Sequence, residues 1–80
     1  MAVTLIFLGR LADLAGMPER EIDSPLDWGT LVEELEGELG EALEGEKVKV
    51  AVNGKLLADK RILAASDGDE VALLPPVSGG

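Results

Sequence analysis

The sequence predicts an α+β fold in which a mixed sheet of four or five strands is covered on one face by one main helix. The chain has 80 residues, which is enough for one small domain with a single hydrophobic core. Hydrophobic residues make up 46% of it, which favours a folded chain over a disordered one. Strand patterns lie near both ends, and an amphipathic helical pattern lies between them.

The first third of the chain is predicted to form a strand, a short helix and a second strand. Residues 2–9 are rich in β-branched and aromatic side chains, which is typical of a central strand. Arg10–Ala15 has helical spacing of its apolar residues, and Gly16 offers a helix stop. Glu19–Asp23 has one apolar residue among charged ones, which indicates a short edge strand.

The main helix is predicted over residues 30–39, after a loop at residues 24–29. Thr30 is expected to cap it, because Glu33 lies three residues later and completes a capping box. The apolar residues at helical spacing share one face; they are Leu31, Val32, Leu35 and Leu39. Glutamates occupy the opposite face and continue to Glu46. This acidic segment is either a solvated surface or a docking surface for a basic partner.

The second half of the chain is predicted to form a hairpin and a final strand. Residues 47–52 alternate in polarity, and Asn53-Gly54 favours a type I′ turn before the chain returns at residues 55–57. Residues 62–64 form an apolar cluster in an irregular connection. Residues 67–69 are a turn in which Gly68 is expected to adopt a positive φ. Glu70–Leu74 is the last strand.

The two most apolar strands are the first and the last, so we expect them to be adjacent, parallel and central in the sheet. A sheet with that pairing and one covering helix is the β-grasp (ubiquitin-like) arrangement. Residues 1–74 are therefore predicted to form the β-grasp domain, and residues 75–80 an extended, flexible C-terminal tail.

The composition excludes several classes of function. Without Cys or His, the chain has no disulfide, no Cys or His metal site and no histidine or thiol catalyst, so catalysis by its own side chains is not expected. Its net charge of -9 disfavours binding to nucleic acid and to anionic membranes. The longest apolar run is too short for a membrane span or a signal peptide, so a cytoplasmic location is expected.

The last six residues carry the most specific pattern in the sequence. Pro75 and Pro76 hold the chain extended, and six residues can reach about 20 Å. Gly79 and Gly80 have no Cβ, so a narrow channel could admit them. Gly80 is therefore the candidate reactive residue, and the alternative is an inert tail.

Three segments of the chain resemble the MoaD/ThiS family of ubiquitin-like sulfur carriers. Residues 67–80, with the sequence DGDEVALLPPVSGG, are similar to the end of MoaD proteins, the small subunits of molybdopterin synthase. Residues 10–16 (RLADLAG) and 51–54 (AVNG) also resemble this family. The resemblance spans essentially the whole chain.

The resemblance implies that the chain carries sulfur on its C-terminus. An E1-like (MoeB-like) enzyme would use ATP to adenylate Gly80, and a sulfur donor would convert the adenylate to a thiocarboxylate. The tail, with Gly79 fitting a narrow channel, would then enter a MoaE-like large subunit in a heterotetramer and give its sulfur to a cyclic pyranopterin. The chain itself would bind no cofactor and no metal, and the catalytic side chains would belong to the large subunit.

The resemblance also implies a docking surface. By position, Leu8, Leu56 and Leu74 correspond to an apolar sheet surface that binds both partners. The remaining tail residues are expected to contact the partner too; they are Pro75, Pro76, Val77 and Ser78. The alternative is that the three leucines are ordinary core residues.

Three other functions remain open from the sequence. The first is a ThiS-type carrier for thiamine synthesis, although that family lacks the Pro-Pro-Val-Ser segment. The second is a ubiquitin-like modifier that is joined through Gly80 to lysines of other proteins. The third is a plain interaction domain with an inert tail, in which case removal of Gly79 and Gly80 would change nothing.

Overall fold

The computed structural model describes residues 2–35 and 37–75. A mixed five-stranded sheet has the order β2-β1-β7-β4-β5. Its strands are β1 (Ala2–Phe7), β2 (Glu19–Asp23), β4 (Lys49–Val52), β5 (Lys55–Leu56) and β7 (Glu70–Leu74), and the short strands β3 (Leu26–Asp27) and β6 (Ala64–Ala65) form a second sheet. The helices are α1 (Arg10–Ala15), α2 (Trp28–Glu34), α3 (Glu38–Glu44) and a 3₁₀ helix (Lys60–Ile62).

The predicted pairing of the first and last strands is confirmed. Strand β1 runs parallel to β7, with Thr4 opposite Glu70 and Phe7 opposite Leu73. Strand β7 is the middle strand and β2 lies at the edge, next to β1. This is the β-grasp arrangement expected from the sequence. None of the described helices is long and apolar enough to cross a membrane.

The hydrophobic core lies between the sheet and the helices. Burial alternates along β1, where Val3, Leu5 and Phe7 are buried and the residues between them are half-buried. The core cluster also contains leucines of the helical layer, namely Leu11, Leu31, Leu35, Leu39 and Leu43. The predicted burial of one helical face is therefore confirmed at Leu31, Leu35 and Leu39, while Val32 is half-buried.

The prediction of one helix over residues 30–39 is wrong, because the segment forms two short helices. Helix α2 begins at Trp28 and ends at Glu34, and α3 begins at Glu38. Between them Leu35 has φ −104° and ψ 62°, and Gly37 has φ 80°, a left-handed conformation that favours glycine. A periodic pattern of leucines continues through this break, so the pattern alone could not reveal it.

Gly40 explains how the two helices can pack closely. A Cβ on Gly40 would overlap the carbonyl oxygen of Leu35 and lie 3.2 Å from its carbonyl carbon. Gly40 is itself buried in the first turn of α3. The absence of a side chain at this position therefore lets α3 lie directly against the end of α2.

The predicted cap at Thr30 is also wrong, because Asp27 is the N-cap residue. Asp27 has an extended conformation, and its Oδ1 accepts a hydrogen bond of 2.8 Å from the backbone N–H of Thr30. This hydrogen bond lowers the pKa of Asp27. The helix starts earlier than the capping box predicts because Asp27, at the end of β3, already provides an acceptor for the N–H of Thr30 in the first turn.

Replacement of the N-cap provides a test of where α2 begins. Asp27→Ala removes the acceptor of the Thr30 N–H, so its urea midpoint should fall. Thr30→Ala keeps that backbone hydrogen bond and loses only the contact of its hydroxyl with Asp27, so it is the matched control and its midpoint should fall less. A larger loss for Thr30→Ala than for Asp27→Ala would show that the helix begins at Thr30 instead.

The hairpin is confirmed, although β4 begins at Lys49 and not at residue 47. Asn53 has φ 50° and Gly54 has φ 82°, the two positive values of a type I′ turn. The Asn53 side chain also accepts a hydrogen bond from the Glu70 N–H (2.9 Å) and donates one to Asp69 Oδ1 (3.0 Å). The Asp69 carboxylate accepts hydrogen bonds from the Ser66 N–H and from the Asn53 side chain, and both lower its pKa. Asn53 thus joins the hairpin to the start of β7.

The small sheet of β3 and β6 was missed by the sequence analysis. It lies where a loop at residues 24–29 and an irregular connection at 62–64 were predicted. Each strand has two residues, and Leu26 pairs with Ala65. Strands of this length contain no repeat from which a period could be recognised. The positive φ predicted for Gly68 is confirmed at 88°.

Candidate docking face and root of the tail

The large sheet has one face towards the helices and one without a covering element in the described part of the chain. The side chains of the uncovered face alternate with the core residues of β1 and β7. We call this surface the open face; its apolar members are Ile6, Leu8, Ala51, Leu56, Ala72 and Leu74. Apart from Ala51, they are exposed or half-buried.

Strand register brings these residues into two rows across the sheet. Ile6 is opposite Ala72, Ala72 is opposite Ala51, and Ala51 is opposite Leu56. Paired residues in neighbouring strands project from the same face, so these four form a continuous apolar row across four strands. In the second row, Leu74 is opposite Lys49, and Leu8 follows Phe7 at the end of β1.

The structure brings together the three leucines that the sequence analysis singled out. Leu56 is 58% exposed, Leu8 is 41% exposed and Leu74 is half-buried, so none of them belongs to the buried core. Ile6 and Ala72 lie on the same face but were not among the residues predicted for it from the sequence. Ile6 is two residues before Leu8, and Ala72 is two residues before Leu74, so a period of two was the signal that could have identified them.

The C-terminal tail starts at the middle of the sheet, beside the open face. Strand β7 ends at Leu74, and the Leu8 N–H donates a 3.2 Å hydrogen bond to the Leu73 carbonyl near that end. Pro75 follows and is half-buried; its Cγ is 3.3 Å from where a Cβ on Gly9 would lie. The other predicted tail residues lie outside the described residues; they are Pro76, Val77, Ser78, Gly79 and Gly80.

Pro75 also forms one wall of a groove on the helical side of the sheet. The groove has a volume of about 710 Å³ and lies between α1 and α3. Leu11, Leu14, Ala42 and Val48 supply apolar lining, and charged residues that include Arg10 and Glu41 line it as well. The root of the tail therefore lies between the open face and this groove.

Lys60 lies in the 3₁₀ helix and is half-buried. Partial burial lowers its pKa, and the neighbouring charges of Arg61 and Lys49 lower it further. Its ammonium lies 5.6 Å from the centre of the Trp28 ring and donates a hydrogen bond to the Gly45 carbonyl. These contacts tie the 3₁₀ helix to α2 and to the end of α3, so they explain Lys60 as a structural residue.

The family comparison covers nearly the whole chain, because the model of the ThiS family matches residues 5–80. A comparison with curated proteins gave no match. Among solved structures, molybdopterin converting factor subunit 1 from Pyrococcus furiosus has 31% sequence identity and a TM-score of 0.71. That alignment covers 96% of this chain and 99% of the other.

Two further solved structures that are similar to this chain bear on its partner and its function. A complex of subunits 1 and 2 of the molybdopterin-converting factor from Helicobacter pylori matches with 28% identity and a TM-score of 0.67, covering 100% of both chains. SAMP1 (small archaeal modifier protein 1) from Haloferax volcanii matches with 27% identity and a TM-score of 0.70, also over 100% of both chains. From the family match and the shared fold, we conclude that this chain belongs to the ThiS family, the ThiS/MoaD-like ubiquitin-like sulfur carriers.

Proposed function

We propose that this chain is the sulfur-carrying small subunit of a molybdopterin synthase and that Gly80 carries the sulfur. The observation that supports this most directly is the position of Pro75, where the C-terminal tail begins. Pro75 leaves the middle strand of the sheet beside Leu8 and Leu74, so a protein docked on the open face lies next to the start of the tail. The similarity to subunit 1 in the Helicobacter pylori complex supports a MoaE-like large subunit as that protein.

The chemistry follows from the poor reactivity of a carboxylate. An adenylating enzyme of the E1 (MoeB-like) class would join the Gly80 carboxylate to AMP and release pyrophosphate from ATP. A sulfur donor would then attack the carbonyl carbon, the bond to AMP would break, and a thiocarboxylate would remain. The ATP is bound by the adenylating partner in this scheme, and this chain supplies no catalytic side chain.

In the last step the tail would deliver its sulfur inside the large subunit. A cyclic pyranopterin would receive one sulfur from each of two carriers to form the dithiolene of molybdopterin, which agrees with a heterotetramer of two small and two large subunits. Gly79 and Gly80 would pass through a narrow channel because neither has a side chain. Pro76, Val77 and Ser78 would contact the channel wall. In this scheme the chain acts in the cytoplasm.

A mass measurement tests the proposal. With ATP, magnesium, the cognate adenylating enzyme and a sulfur donor, the intact chain should gain the mass difference between sulfur and oxygen, and fragmentation should assign the gain to Gly80. A variant without Gly80 is the control and should gain nothing. Its thermal unfolding should be unchanged, because the core cluster lies within residues 3–73. A gain in the deletion variant, or on a side chain, would contradict the proposal.

A protein modifier is the second candidate, and the similarity to SAMP1 favours it. Both candidates share the adenylate of Gly80 and differ in what attacks it. In the modifier, a lysine of another protein would displace AMP and form an isopeptide bond. Conjugates to protein lysines, without a thiocarboxylate, would therefore support the modifier. A carrier for thiamine synthesis would form the thiocarboxylate but would not restore molybdopterin synthesis with the large subunit.

A further inference from the structure

Charged side chains are distributed unevenly over the open face. Along β1 and β2, Ala2 is opposite Asp23, Thr4 is opposite Glu21 and Ile6 is opposite Glu19. Paired residues share a face, so the three acidic residues project from the open face with Thr4 and Ile6. All three are exposed. Strand β2 is at the edge of the sheet, so they form an acidic margin along one side of the open face. Glu70, opposite Thr4 in the middle strand, adds an exposed acidic side chain at the end of this face that is away from the tail.

A basic residue lies on the other side of the apolar rows. Lys49 is opposite Leu74 in the register of β4 and β7, so it projects from the open face, and it is exposed. From β2 to β4 there are three strand spacings, which is about 14 Å. This separation exceeds the Debye length of about 8 Å at physiological salt, so the two charged regions interact with an approaching partner independently of each other.

We infer that the open face is a polarised docking surface for a protein with an apolar centre, basic side chains opposite β2 and an acidic side chain opposite Lys49. The docked protein in this inference is the large subunit, so the inference rests on the proposed function. If the partner were rotated by 180° about an axis perpendicular to the sheet, its basic side chains would face Lys49 and its acidic ones would face Glu19 and Glu21. Such like-charge contacts disfavour the turned orientation, in which the tail would leave on the wrong side.

Charge favours this partner over a second copy of the chain. Each copy has a net charge of -9, so two copies repel each other. A partner with a basic margin removes the repulsion and adds attraction as it approaches.

Two variants of equal net charge test the inference. Glu19→Lys with Glu21→Lys reverses the acidic margin, and Glu33→Lys with Glu44→Lys makes the same change at exposed positions of α2 and α3. The association rate constant with the cognate large subunit is measured by stopped flow at low and high salt. We expect about a tenfold decrease at low salt for the β2 variant and less than about a twofold decrease for the control.

A second pair of variants tests the opposite side of the face. Lys49→Glu should also slow association, whereas Lys55→Glu should not, because Lys55 is opposite Val52 and projects from the other face. If the variants of each pair slow association equally, only net charge matters and the inference is wrong. If the unmodified chain does not bind the large subunit at any salt, the proposed function fails. Dimers of the chain alone that the β2 variant abolishes would assign the face to a second copy and overturn the inference.

Discussion

Leu56→Asp is expected to weaken binding of the cognate large subunit by about a hundredfold while leaving the free chain folded. Leu56 ends the apolar row of the open face and is 58% exposed, so an aspartate at this position remains hydrated in the free chain. In a complex that covers the open face, the same carboxylate would lose its water next to Ala51. The loss of hydration without a charged partner is the reason for the large effect.

Ile62→Asp is the matched control for this prediction. Ile62 is also a large apolar residue and is 63% exposed, but it lies in the 3₁₀ helix, which packs against α2 on the helical side. Its substitution should leave the dissociation constant within about a factor of two. Titration calorimetry gives the affinities, and urea unfolding verifies that both variants are folded. Equal losses of affinity for the two variants would show that the open face is not the docking surface.

Gly40→Ala is expected to destabilise the fold by about 1 to 3 kcal/mol, although alanine is the better helix former. The reason is the contact between α3 and the end of α2. An alanine Cβ at this position would overlap the backbone carbonyl oxygen of Leu35. A backbone atom cannot move aside as the end of a flexible side chain can, so the helices must separate and the buried leucines near them would lose contacts.

Gly29→Ala is the control because Gly29 is also a helical glycine. A Cβ on Gly29 would lie 3.7 Å from Asp27 Oδ1, which is an ordinary contact. The substitution should leave stability unchanged or raise it by up to about 1 kcal/mol, since alanine reduces the freedom of the unfolded chain. Urea unfolding of the two variants provides the comparison. A stability gain for Gly40→Ala similar to that of Gly29→Ala would show that α3 does not pack tightly against α2.

The sequence by itself was sufficient for the elements with a clear local signal. The apolar run of β1, the charged edge strand β2, the Asn53-Gly54 turn and β7 each appear where their patterns predict them. The parallel pairing of β1 and β7 was also predictable, because the two most apolar strands must share the buried middle of the sheet. The Gly-Gly end could likewise be recognised from the sequence, since it is a matter of residue type and not of packing.

The tertiary structure decided the features that depend on distant residues. The break between α2 and α3 depends on Gly37 and Gly40, while the leucine pattern continues across it. Asp27 is the cap in place of Thr30, and its position is fixed by pairing with Ala64 of β6, which lies 37 residues further along the chain. The exposure of Leu8 and Leu74 was undecided because apolar runs do not indicate which face a side chain takes. The register of β7 with β1 and β4, and of β4 with β5, settles it, since only the register places Leu8, Leu74 and Leu56 on one surface.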